Sequence, residues 1–350
     1  MKAFQLLAHG APGQFELRDL PEPQPGPGEA TVQVQACGLN RLDLWFEQGQ
    51  LPIPVKLPRT PGCEISGRIL RMGNGVTGWC AGDRVAVQSN LFCGQCEYCT
   101  RGEESSCLNN EMLGVQRDGG FAEEVVVPAR ALVRLPAQVD FETSAALTLA
   151  GSTAMHMLTS RAQVRSGDWV LVIAAASGVG SAAIQIAKQL GARVITTGST
   201  EAKRTLGKQL GAEFVLDSAD PSWPAEVRKI TGKRGVDLVA EHVGGEVLQK
   251  VFQCLARNGT VVTCGATAGQ EVPLNLWPFF VKQQRLVGSY GRNGADLKAT
   301  LDWAASGKLK PVIDSTFPLT ETTEAYARLR SRHALGKVIV EPFEPVSESD

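Results

Sequence analysis

Cys93, Cys96, Cys99 and Cys107 follow a C-x2-C-x2-C-x7-C spacing. Thiolates so placed can fold one short lobe around a tetrahedral zinc ion. Four protein ligands close the coordination sphere, so such a metal braces structure and offers no position to a substrate. Any reaction must then be carried elsewhere in the chain.

A second chemical signal lies at Ala174-Ala175-Ala176-Ser177-Gly178-Val179-Gly180. A glycine-rich turn between a strand and a helix lets backbone approach a pyrophosphate, and the helix N-terminus offers free N–H groups. The fit to G-x-G-x-x-G is partial, because Ala175 and Ser177 stand at the first two glycine positions and only Gly180 is kept. The plain alternative is a tight turn with no ligand. The flanking pattern favours the cofactor: Ala176, Ser177, Gly178, Val179 and Gly180 would meet the pyrophosphate. At the end of the next strand an acidic residue would bind the ribose of NAD. Here Gly198 leaves room, the hydroxyls of Ser199 and Thr200 can donate, and Lys203 and Arg204 could face a 2′-phosphate, so NADP(H) is expected over NAD(H). Glu201 is the residue that argues against this, and a solvated helix face is the plain reading of both cations.

The elements that must hold these groups differ along the chain. The first 150 residues read as β-rich: Thr31 to Ala36 alternates polar and apolar, and Gly82-Asp83 precedes the short strand Arg84-Val85-Ala86-Val87. From Trp169 the rhythm changes. Trp169-Val170-Leu171-Val172-Ile173 is a continuous apolar run, as in a strand buried on both faces. Val179, Ala182, Ala183, Ile186, Ala187 and Leu190 then recur at helical spacing, and strands and helices alternate to Leu286-Val287-Gly288-Ser289. That alternation predicts an α/β doubly wound parallel sheet.

Composition sets the bounds. The chain has 350 residues, enough for two cores, and its net charge of -1 has no basic run, which argues against nucleic acid or an anionic membrane. No apolar stretch is long enough for a membrane span, and the N-terminal stretch is too short for a signal peptide. The Ser-Glu-Ser-Asp terminus matches no lipidation signal. Scattered cysteines outside the quartet fit a reducing compartment, so a cytoplasmic protein is expected.

Together, Gly38-Leu39-Asn40-Arg41-Leu42-Asp43, Pro61-Gly62-Cys63-Glu64-Ile65-Ser66-Gly67, Gly82-Asp83-Arg84-Val85, the quartet, Ala150-Gly151-Ser152-Thr153-Ala154 and the Ala-Ser-Gly-Val-Gly turn resemble the medium-chain dehydrogenase/reductases. The resemblance covers nearly the whole chain. It implies a GroES-like β-barrel catalytic domain at 1–150 and 290–350, with the zinc lobe at 90–110, and a Rossmann domain at 151–289. It implies an active site in the cleft, and a homodimer or homotetramer joined through the last Rossmann strand. Zinc alcohol dehydrogenases of this family hold a catalytic zinc at the positions of Asn40, Cys63, Glu64 and Leu149. Only Glu64 is kept; Leu149 has no donor atom and Asn40 is a poor zinc ligand. The Gly-Leu-Asn-x-x-Asp stretch resembles instead the zinc-independent quinone oxidoreductases, a branch that normally lacks the zinc lobe.

Without a Lewis acid, hydride should go to a small-molecule acceptor already electrophilic, a quinone or an α,β-unsaturated carbonyl. Asn40 is expected to donate an amide N–H to the substrate oxygen, Asp43 to orient its neighbours and Cys63 to line the pocket. Thr153, by resemblance, lies near the nicotinamide, and Gly265, Ser289 and Tyr290 could meet the same half of the cofactor. Asn40 could instead be a turn residue, Asp43 a helix N-terminal carboxylate, and Cys63 a small buried side chain. The alternatives for the whole are a zinc alcohol dehydrogenase with unusual ligands, an enoyl-thioester reductase, and an NADPH-binding protein without turnover.

Overall fold

The structure is a computed structural model that describes residues 1–343; the C-terminal Ser-Glu-Ser-Asp lies outside the described residues. The chain forms two compact units. The first comprises Met1–Leu149, Arg292–Ser306 and residues 312–343; the second comprises Ala150–Gly291 and Gly307–Pro311. The short return of the chain to the second unit has a local cause. Gln185 takes both polar backbone groups of Lys310, its Nε2 donating to the carbonyl and its Oε1 accepting from the N–H.

The first unit is a β structure. β1 (Lys2–Ala8) and β2 (Gln14–Asp19) pair as a hairpin. β3 (Glu29–Gly38) is its hub, antiparallel to β4 (Glu64–Met72), to β8 (Glu124–Pro128) and to the last strand, β17 (Lys337–Glu341). β5 (Arg84–Val87), β9 (Leu132–Arg134) and β16 (Ile313–Pro318) complete the seven-stranded sheet. β6 (Asn90–Leu91) and β7 (Glu111–Met112) pair at the zinc lobe. The expected alternation holds from Val32 to Ala36, with the apolar side chains buried and Gln33 and Gln35 less so, while Thr31 departs from it and is buried. Strand partners crowd both edges, and the helix α3 (Phe141–Leu147) packs on it. α1 (Arg41–Glu47), α2 (Glu97–Thr100), α10 (Gly294–Ala305) and α11 (Thr322–Arg330) are the remaining α-helices described in this unit. Phe4, Val32, Val34, Leu39, Ile65, Phe121 and Tyr326 belong to its main core.

The second unit is a parallel sheet with the order β12-β11-β10-β13-β14-β15. Its strands are β10 (Trp169–Val172), β11 (Arg193–Gly198), β12 (Phe214–Asp217), β13 (Val236–Glu241), β14 (Leu255–Thr263) and β15 (Arg285–Gly288). α4 (Ala150–Met155), α5 (Gly178–Gln189), α6 (Glu201–Gln209), α7 (Trp223–Ile230), α8 (Gly245–Cys254) and α9 (Leu276–Val281) are its helices. The order reverses between β10 and β13, so the carboxyl ends of those two strands flank the topological switch point, where open α/β sheets bind ligands. Among the described residues no helix is long and apolar enough to cross a membrane.

Candidate active site and metal centre

The quartet converges as its spacing predicts. The Sγ atoms of Cys93, Cys96, Cys99 and Cys107 all lie within 4.8 Å of one another. Cys96 is 3.5 Å from Cys99 and 3.9 Å from Cys107, and Cys93 is 3.9 Å from Cys99. A tetrahedron of Zn–S bonds has edges of about 3.8 Å, so the donor set fits zinc. Backbone N–H groups already point at these sulfurs: Cys93 N reaches Cys107 Sγ at 3.2 Å and Cys96 N reaches Cys93 Sγ at 3.4 Å. N–H donors from Gln95 and Cys96 pull the Cys93 thiol down to about 6, while burial pushes the Cys99 thiol up to about 12, so the converging geometry carries the metal assignment. The lobe is tied to the start of α10, where Asn293 Oδ1 accepts from Ser105 N at 3.0 Å.

The cluster expected to do chemistry is built at the start of β4, the end of β3 and the start of β17. The pairing of Gly38 with Glu64 sets the Glu64 carboxylate beside Asn40. Gly38 must lack a side chain, since a Cβ there would stand 2.7 Å from Glu64 Oε2. Lys337 is buried, and its ammonium reaches Glu64 Oε2 at 2.6 Å, Asn40 Oδ1 at 2.8 Å and the Leu39 carbonyl at 2.5 Å. Three acceptors match the three N–H bonds of a lysine. The other carboxylate oxygen of Glu64 accepts the Leu149 backbone N–H at 2.6 Å.

The expected roles change accordingly. Asn40 Nδ2 donates to Glu64 Oε2 at 2.9 Å and to the Gly38 carbonyl at 3.2 Å, so both amide hydrogens are committed and a donor role toward substrate is lost. Asp43 is a buried capping carboxylate: its Oδ2 accepts Asn40 N at 2.7 Å, and burial raises it to about 7. Cys63 is a buried thiol, pushed well above its ordinary range by burial and then by Asp43 and Glu64. A second zinc does not fit this donor set. Leu149 offers no side-chain ligand, and the Asn40 and Glu64 oxygens are held by the Lys337 ammonium. Among the described residues, the quartet is the one metal-competent group of three or more His, Cys, Asp or Glu side chains.

In the second unit the turn after β10 is shaped for close approach. Ala174 has φ of 59°, and Ser177 caps α5 by accepting Gly180 N at 2.8 Å. A Cβ on Gly180 would stand 2.2 Å from the Ala174 carbonyl, so only glycine fits. Ala176 is buried, and Gly178 and Val179 open the helix. At the end of β11, Gly198 is opposite Asp217 in register. Arg204 makes a 2.8 Å ion pair with Asp217, so its expected freedom to face a phosphate is reduced. Ser199 is exposed at this turn, and Lys203 stands on the first turn of α6, its N–H capped by Thr200. Thr153 is buried in α4. Gly265 follows β14; Ser289 and Tyr290 follow β15, and among the described residues Ser289 Oγ is buried without a hydrogen-bond partner. His156 opens a π-helical turn, 156–161, and is buried.

The spacing of residues missed two participants. Lys337 lies nearly the whole chain away from Asn40, and His242, just after β13, bonds Ser177 Oγ at 2.8 Å. The only sequence signals are a lysine opening an apolar strand and a histidine closing one.

Comparison with known proteins adds context. Residues 26–137 match the alcohol dehydrogenase GroES-like domain family, and residues 178–306 match the zinc-binding dehydrogenase family. An NAD-dependent alcohol dehydrogenase of Sulfurisphaera tokodaii is 31% identical over 98% of this chain and 100% of its own length. The crystal structure of an NAD-dependent alcohol dehydrogenase superposes with a TM-score of 0.94 at 39% identity, covering 98% of this chain and 100% of that one. A mycobacterial quinone oxidoreductase superposes with a TM-score of 0.80 at 30% identity, covering 98% and 100%.

Proposed function

The chain belongs to the medium-chain dehydrogenase/reductase superfamily, and on that premise we propose that it reduces a quinone or an α,β-unsaturated carbonyl with a nicotinamide dinucleotide and without a catalytic zinc. It is an oxidoreductase of that type. The observation that carries the finer reading is Lys337 on Glu64: the one retained ligand of the catalytic metal site is held by an internal cation. A simple alcohol needs its proton acidity raised before hydride can leave, and a Glu64 held by Lys337 beside Leu149 does not supply that as a metal does. An enone or quinone needs less, since its carbonyl disperses the incoming charge.

The nicotinamide ring, when bound, supplies the hydride. The chain's own residues bind and align. The N–H groups at the start of α5 hold the pyrophosphate, Gly180 permits its approach, and Gly198 leaves space at the adenosine ribose. Thr153, Gly265, Ser289 and Tyr290 are assigned to the nicotinamide half; the orphan Ser289 hydroxyl suits its carboxamide. NADPH is preferred in this reading on the strength of Gly198, Ser199 and Lys203, although the relatives above are named as NAD-dependent. The quartet would hold one structural zinc.

The second reading is an alcohol dehydrogenase. The relatives' names favour it, since alcohol dehydrogenases match over nearly the whole chain. A panel decides: NADPH oxidation with quinones and enones, against NAD reduction with primary, secondary and sugar alcohols. Turnover confined to alcohols would replace the first reading by the second. Copies of the chain are proposed to pair through β15, an edge strand on which Leu286 is exposed, as are Trp277 and Phe280 of α9. Light scattering of the purified protein tests this; a monomer would refute it.

A further inference from the structure

His242 and Ser177 lie on opposite sides of the switch point. Ser177 belongs to the loop after β10, and His242 to the loop after β13, the two strands between which the sheet order reverses. Their 2.8 Å hydrogen bond therefore bridges the crevice in which an open α/β sheet takes its dinucleotide. Ser177 is already occupied on its own side: its hydroxyl accepts Gly180 N at 2.8 Å and lies 3.0 Å from the Ala174 carbonyl. The histidine is fixed from behind as well. Glu241, immediately before it, accepts the N–H groups of Val243 at 2.5 Å and Gly244 at 2.7 Å, and the Thr263 hydroxyl at 2.8 Å.

One ring nitrogen is thus spent on the phosphate loop. Among the described residues Nδ1 makes no hydrogen bond. Burial lowers this imidazole to about 4, so it is neutral at pH 7 and carries one donor and one acceptor nitrogen. We propose that His242 is a cofactor-binding residue: Nε2 fixes Ser177, and Nδ1 contacts a hydroxyl of the ribose on the nicotinamide side. The side follows from topology, since β13 opens the second mononucleotide half of the sheet whereas β10 and β11 serve the first. The choice of a hydroxyl over a phosphate oxygen follows from chemistry. Nδ1 is a donor in one tautomer and an acceptor in the other, and a hydroxyl satisfies both, whereas phosphate accepts only. The inference rests on the nicotinamide-dinucleotide reading above.

Two isosteres separate the two ring nitrogens. The amide of Gln extends to the position of Nε2, and that of Asn to the position of Nδ1. Binding of AMP and of ADP-ribose to the intact protein is measured by calorimetry, because ADP-ribose carries the second ribose and AMP does not. His242→Gln should weaken ADP-ribose about five- to tenfold and leave AMP within about twofold. His242→Asn should recover most of the ADP-ribose affinity. Equal losses for AMP and ADP-ribose in the Gln variant, or no loss for either, would overturn the inference while leaving the cofactor reading intact. A wild-type protein that binds neither ligand nor NADPH would remove both.

Discussion

The quartet lobe and the Glu64 cluster fall at the two positions that the resemblance to zinc alcohol dehydrogenases marks for a metal, and the chain treats them oppositely. At the lobe, four thiols within 4.8 Å keep a complete tetrahedral donor set. At Glu64 a lysine ammonium sits 2.6 Å from the carboxylate, and the neighbouring ligand positions are Asn40, Cys63 and Leu149. An ionised carboxylate in a buried site is stabilised by a positive partner, and either a metal or an ammonium can serve. The ammonium neutralises Glu64 without offering an open coordination position.

Breaking the lobe should have the largest effect. Cys96→Ser, or prolonged chelation, should remove zinc and unfold the lobe, lowering Tm by 10 °C or more in a thermal scan; a structural zinc site contributes on the order of 10 kcal/mol to its own folding. Breaking the second region comes next. Lys337→Met leaves Glu64 buried without its cation and should cost about 3–5 kcal/mol in urea unfolding. Glu64→Gln in the same chain should recover more than half of that loss, because the unpaired charge is then gone. A full loss in the double variant would show that the ammonium matters through packing alone.

Asp43 sharpens the comparison through pH. Burial raises its native value to about 7, against about 3.9 in an unfolded chain. Between those values the native state holds more protons than the unfolded one, so stability falls as pH rises from about 4 to 7. The fall attributable to this group is at most about 4 kcal/mol. Asp43→Asn should flatten that slope in unfolding curves taken across the window; an unchanged slope would place the titration elsewhere. The smallest effect concerns the cofactor. Gly198→Asp should shift the ratio of kcat/KM toward NADH by about tenfold, since a carboxylate there repels a 2′-phosphate.

The lobe and the parallel sheet were legible because their signals are local. Quartet ligands lie within one loop, and each strand–helix unit declares its own period. The ammonium was not legible: Lys337 reaches Asn40 and Leu39 across 297 and 298 residues, and a lysine at the head of Lys337-Val338-Ile339-Val340 carries no mark of its partners. The role of Asn40 is hidden for the same reason, because the acceptors that consume its amide are the Gly38 carbonyl and a distant carboxylate. Arg204 reads as a phosphate contact until the pairing of β11 with β12 brings Asp217 to it.

The proposed reaction needs no metal at Glu64, whose carboxylate holds the Lys337 ammonium. The direct test counts metal by inductively coupled plasma mass spectrometry in the same preparation that turns over NADPH with an enone or quinone. One zinc per active chain, lost in the Cys96→Ser variant, is the predicted result. Two zincs per active chain, with the second retained in that variant and required for turnover, would contradict it.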